Sequence, residues 1–123
     1  MAQLINELSE KTCSACRVGA PLASATEIAD VLNALPHWSA IEVDGIQQLT
    51  RIYKFKNFVA ALEFTNLIGA VAEEYGHHPA LLTEWGKVTV NWWTHKIKGL
   101  HENDLIMAAK TEKIFQAIDS TNL

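Results

Sequence analysis

Four of the five histidines fall between Glu73 and Asp104, in the run EEYGHHPALLTEWGKVTVNWWTHKIKGLHEND. Histidine is suited to moving protons near neutral pH, because its unperturbed pKa is about 6.5. Glu73 and His77 share a face if one helix carries both. A carboxylate so placed orients an imidazole or raises its basicity through a charge-assisted hydrogen bond. Three histidines converging on one cleft would divide the work of delivering one proton and removing another. Three histidines also suit a zinc ion, and a His-His pair at a helix end can simply be a cap favoured by the helix dipole. Residue types alone leave these three readings open.

Several elements must bring that run together. Asn57 predicts the cap of a helix over Phe58 to Tyr75, Gly76 its left-handed end, and Pro79 a bar to its resumption. One stripe of this helix, Phe58, Ala61, Leu62, Thr65, Ile68, Ala72 and Tyr75, suits packing on a sheet, and Phe64, Leu67 and Val71 form a second stripe beside it. Extended segments are predicted on either side of Asp44-Gly45, a hairpin signal, then over Leu81 to Trp85 and Lys87 to Lys98. In the last of these Val88, Val90 and Trp92 point one way, and Thr89, Asn91, Trp93 and His95 the other. Arg51 interrupts the apolar alternation of its strand, and is expected either to reach solvent or to hold a polar substrate edge. Ser24 and Glu27 form a capping box before a short helix that Pro36 ends. The final helix is expected over Asp104 to Ile118, with Asn103 as its cap and Leu105, Ala108, Phe115 and Ile118 inward. The expected fold is α+β, a four-stranded antiparallel sheet with helices packed on one face. Residues 1–22 read as an N-terminal arm with loose structure, and 23–123 as a single domain.

With 123 residues the chain is sized for one core, and 49% hydrophobic residues leave apolar surface for a subunit contact. Both the second helical stripe and the sheet face without helices predict a homodimer or homotetramer. Ten basic against fourteen acidic residues, net charge -4, argue against a nucleic-acid partner. No stretch approaches eighteen apolar residues, so no membrane partner is expected and a cytoplasmic setting is. Cys13 and Cys16 form a CxxC without a second pair or a histidine in register, and read as reduced, unpaired thiols.

The central run resembles the pterin-4a-carbinolamine dehydratases. Their pattern is an acidic residue, three intervening positions, His-His-Pro, an aromatic after a short gap, a strand histidine and a later Asp. Here these are Glu73, His77-His78-Pro79, Trp85, His95 and Asp104. YKFKNF (Tyr53 to Phe58), FTN (Phe64 to Asn66) and IKGL (Ile97 to Leu100) look like the bacterial branch, and the resemblance spans roughly Ala25 to Ile118. It implies a reduced pterin substrate, 4a-hydroxytetrahydrobiopterin, which loses water to give quinonoid dihydropterin in tetrahydropterin recycling. By the same resemblance His77, His78, His95 and Glu73 are catalytic, with His78 and His95 flanking the reacting centre and His77 holding or protonating the hydroxyl. Asp104, Trp85 and Pro79 would bind or orient substrate, Asp104 acting on His95 or capping its own helix. No cofactor or metal is implied. Leu81 stands where the family often has an aromatic, which weakens stacking at that position. The alternative the family offers is a non-catalytic dimerisation or transcriptional cofactor that binds a partner through a helical surface. His37 and His101 match no role and are expected at the surface.

Overall fold

The computed structural model describes residues 2–11 and 21–122; Cys13 and Cys16 lie outside the described residues. The elements run α1 (Ala2–Glu10), α2 (Ala25–Ala34), β1 (Ser39–Val43), β2 (Ile46–Lys54), α3 (Phe58–Tyr75), β3 (Ala80–Glu84), β4 (Lys87–Trp92), a 3-10 turn (His95–Ile97) and α4 (Glu102–Asn122). The sheet is antiparallel throughout, in the order β1-β2-β4-β3. The expected α+β architecture is what forms, with the helices on one face.

Local chemistry sets most boundaries. Ser24 accepts from the Glu27 N–H and Glu27 from the Ser24 N–H, a capping box that starts α2. That backbone donor, with the Ser24 side chain second, holds the Glu27 carboxyl below the usual carboxylate range. Asn57 accepts from the Ala60 N–H at 2.8 Å to open α3. Asp44 and Gly45, both at positive φ, make the β1–β2 turn.

The sheet's inner face carries Leu49, Tyr53, Val88, Val90 and Trp92, all fully buried under the helices. Phe64 packs on it, with ring centroids 4.8 Å from Tyr53 and 5.2 Å from Phe55. Phe64 is therefore core and not part of an exposed second stripe; the apolar residues α3 exposes are Phe58, Val59, Leu62 and Leu67. Residues Leu105 to Ala109 of α4 are buried all the way round the helix, which one sheet face cannot achieve. The cover is α1, whose Ile5 and Leu8 are buried and whose Ser9 carbonyl accepts from Lys110 Nζ at 2.6 Å. Part of the segment expected to be loose is thus a helix packed on the domain.

Arg51 neither reaches solvent nor lines the histidine site. It faces inward on β2, where its Nη1 donates to both oxygens of Glu112 at 2.6 and 2.8 Å and its guanidinium sits 4.1 Å over the Tyr53 ring. Glu112 also accepts from the Tyr53 hydroxyl at 2.8 Å and Trp38 Nε1 at 3.2 Å. Burial and the Glu112 charge push the Tyr53 phenol well above its ordinary pKa, so it stays a neutral donor. Arg51 and Glu112 side chains are each only 12% exposed, so Glu112→Ala, which strands the cation, should cost about 3–5 kcal/mol in urea unfolding. The double change Arg51→Met, Glu112→Leu should cost clearly less, because it removes both charges together.

Candidate active site

The site begins where α3 stops. Gly76 takes a left-handed conformation (φ 62°), its N–H reaches the Glu73 carbonyl at 3.4 Å, and the His77 N–H returns to the Ala72 carbonyl at 3.1 Å. This is a Schellman ending. It turns the chain sharply enough that two adjacent histidines part. His77 goes inward, 5% exposed, with its ring parallel to Trp92 at a centroid distance of 5.7 Å. His78 turns outward and back over the last helical turn, where its Nε2 lies 2.5 Å from Glu73 Oε2. Pro79 is half-buried and leads into β3.

The buried histidine is held by Asp104. Nε2 of His77 is 2.6 Å from Asp104 Oδ1, while Oδ2 accepts from the Thr94 hydroxyl at 2.7 Å and the His101 N–H at 2.9 Å. Asp104 has no exposed surface. It therefore ties the exit of α3, the end of β4 and the start of α4 at one carboxylate. The pairing differs from that expected: Glu73 serves His78 and not His77, and Asp104 serves His77 and not His95. The physical reason is the Schellman turn, which rotates position 77 off the Glu73 face.

His95 is not on a strand. Ladder pairing in β4 ends at Trp92, and Thr94 pairs with Gly99 across a tight loop whose tip is the 3-10 turn His95–Ile97. A Cβ on Gly99 would meet only the tip of the exposed Leu22 side chain, at 2.8 Å. The loop presents His95 as an exposed side chain, its ring 4.5 Å from that of Trp93. Carried two residues back from Ala80↔Asn91, the β3–β4 register brings position 78 opposite position 93. His78 and His95 are both exposed, and the ring packed on His95 belongs to the residue opposite position 78.

One expected member, Trp85, stands elsewhere, and His101, expected at the surface, is not there. Trp85 is 73% exposed on the β3–β4 turn, roughly 20 Å along the strand from His78 at about 3.3 Å per residue. His101 is buried, 8% exposed, and its Nδ1 accepts from the Asn103 N–H at 3.0 Å. It caps α4 in place of Asn103, while His37 is exposed as expected. Thr94, fully buried beside Asp104, was not foreseen; a Thr preceding a loop histidine carries no signal until the loop is seen. Among the described residues no group of three or more His, Cys, Asp or Glu is placed to hold a metal ion.

Residues 21–114 match the sequence pattern of the family described as Pterin 4 alpha carbinolamine dehydratase. The chain belongs to that family. A Syntrophotalea carbinolica protein named as a pterin-4-alpha-carbinolamine dehydratase is 61% identical over 112 residues, 91% of this chain and 100% of its own. One from Nitrosococcus oceani is 54% identical over 112 residues, 91% of this chain and 99% of its own. The crystal structure titled transcriptional coactivator/pterin dehydratase from Brucella Melitensis is 34% identical with a TM-score of 0.68, covering 76% of this chain and 98% of that one. The chain is accordingly an enzyme of the pterin-4a-carbinolamine dehydratase family, a lyase acting on the carbinolamine.

The two carboxylates should separate cleanly by mutation. Asp104→Ala breaks a fully buried network and should lower stability by about 3–5 kcal/mol in urea unfolding. Glu73→Ala removes a side chain 77% exposed, and should cost less than about 1 kcal/mol.

Proposed function

We propose that the dehydration of 4a-hydroxytetrahydrobiopterin is carried by His78 and His95, with His77 and Glu73 as positioning residues. Loss of the 4a hydroxyl as water needs one proton delivered to that oxygen. The N5 proton must be removed as the N5 electrons form the new double bond, giving the quinonoid dihydropterin. The observation that carries this division is exposure: His78 and His95 both reach solvent, while His77 is shut inside against Trp92 and Asp104. Glu73 fixes the ring of the imidazole it touches. Trp93 does the packing part of that task for His95.

Assembly into a homodimer or homotetramer belongs to the same proposal. It is supported by Ile41, Ile52 and Leu82, exposed on the sheet face that no helix covers, and by Phe58, Val59, Leu62 and Leu67 on α3. The α3 surface is also what favours the second reading, a helical docking face for a partner. Light scattering should return two or four times the single-chain 13.6 kDa; a monomer mass at micromolar concentration would remove this part.

Placed general acids and bases contribute about 10²–10⁴-fold, so His78→Ala and His95→Ala should each lower kcat at least about tenfold, after correction for the spontaneous reaction and with circular dichroism showing a folded chain. His37→Ala should match wild type. Wild-type rates in both His78→Ala and His95→Ala would end the assignment and leave the docking reading.

A further inference from the structure

On the sheet face that no helix covers, one side chain is buried against expectation. Gln48 is only 6% exposed, although it shares that face with Thr50 and Asn91. Its amide is the last member of an oriented chain. The Thr50 hydroxyl donates to Asn91 Oδ1 at 2.9 Å, and Asn91 Nδ2 donates to Gln48 Oε1 at 2.8 Å. With its oxygen engaged, Gln48 has its Nε2 hydrogens left to offer. They have no partner among the described residues, yet Nε2 is not among the sealed, unsatisfied atoms of the interior. The amide therefore presents a fixed donor toward the open face, on an arm that is otherwise immobilised.

Its position relative to the reacting groups follows from the ladder. The last β2–β4 pair is Leu49↔Trp92, so the next positions along the two strands, 48 and 93, stand side by side on the same face as the Thr50↔Asn91 pair. Trp93 is the residue whose ring packs on His95. Gln48 thus stands one strand over from the residue that packs on His95, within reach of a flat bicyclic ring bound at that histidine.

The geometry points to Gln48 as a specificity-determining residue that donates a hydrogen bond to the ring carbonyl of the bound pterin, with Asn91 and Thr50 fixing the direction of the donor. This rests on the proposed dehydratase site. A donor locked in place accepts an oxo group and is left facing another donor when the ring carries an amino group there, so the residue sorts 4-oxo from 4-amino pteridines. Gln48 and Asn91 touch neither transferred proton, so the effect belongs to binding.

The test compares inhibition of 4a-hydroxytetrahydrobiopterin dehydration by 7,8-dihydropterin and by its 4-amino counterpart, 2,4-diamino-7,8-dihydropteridine. The wild-type enzyme should favour the oxo compound. Gln48→Glu still accepts from Asn91 but turns the presented donor into an acceptor, and should move the ratio of the two inhibition constants toward the amino compound by about tenfold. KM should rise while kcat stays within about twofold. The ratio is measured within one preparation and does not depend on the active fraction. An unchanged ratio in an active Gln48→Glu enzyme overturns the inference. If Gln48→Glu does not fold, Asn91→Ala carries the test, because it unfastens the same amide: a weakened oxo preference supports the inference and a retained one overturns it. Should the wild-type chain fail to dehydrate the carbinolamine, the proposed function falls. Direct binding of the two dihydropteridines, read by tryptophan fluorescence, then decides the Gln48 inference separately.

Discussion

The carboxylate of Asp104 is sealed from water, and a bare charge in that position would be expelled from any fold. Three donors offset its desolvation: His77 Nε2, the Thr94 hydroxyl and the His101 N–H. They arrive from three different elements, and no two elements alone satisfy the carboxylate. Glu73 and His78 ride on the exit of α3, and His95 rides on the loop that starts at Thr94. Their mutual placement is therefore set by a group that none of them touches. Trp92 reinforces the junction from the sheet side, with its ring against His77 and its Nε1 donating to Thr111 of α4 at 3.1 Å.

Features fixed by neighbours in the chain were legible in the sequence: the Ser24–Glu27 capping box, the Asn57 cap, the Asp44-Gly45 turn, the Gly76 stop and the alternation of Val88, Val90 and Trp92. Each is a local energy that tertiary packing had no reason to override. What was not legible depended on which way one residue turned. A helix continued to His77 places it over Glu73, but the Schellman turn ends the helix two residues earlier, at Tyr75, and hands Glu73 to His78. An alternating strand carried to His95 fails because Thr94 and Gly99 fold the chain back. Arg51 reads as exposed from its own strand, and only the arrival of Glu112, far along the chain, makes its burial tolerable.

The N-terminal helix illustrates a signal that was present in another place. Leu4, Ile5 and Leu8 are too few to announce a nine-residue helix without a cap. The run Leu105-Ile106-Met107-Ala108-Ala109, in contrast, cannot all face one sheet from a helix, and it demands a second covering surface. That demand was readable from α4, although nothing in the run says which segment answers it. Residues Ala2–Glu10 answer it, and Lys110 fastens them by donating to the Ser9 carbonyl.

The contrast between neighbouring histidines also bears on the chemistry. Eliminating water from the carbinolamine consumes no proton overall, because the one removed from N5 balances the one delivered to the hydroxyl. With His78 and His95 as the proposed pair, the two imidazoles would finish with their protonation states exchanged, so each turnover would be followed by a reset through solvent or through one another. His77, 5% exposed between Trp92 and Asp104, has little contact with water. His78, with a side chain 59% exposed, and the exposed His95 meet water directly. The proposed division thus gives the proton-carrying role to the exposed imidazoles and the rigidifying role to the buried one, two requirements that one environment could not meet together.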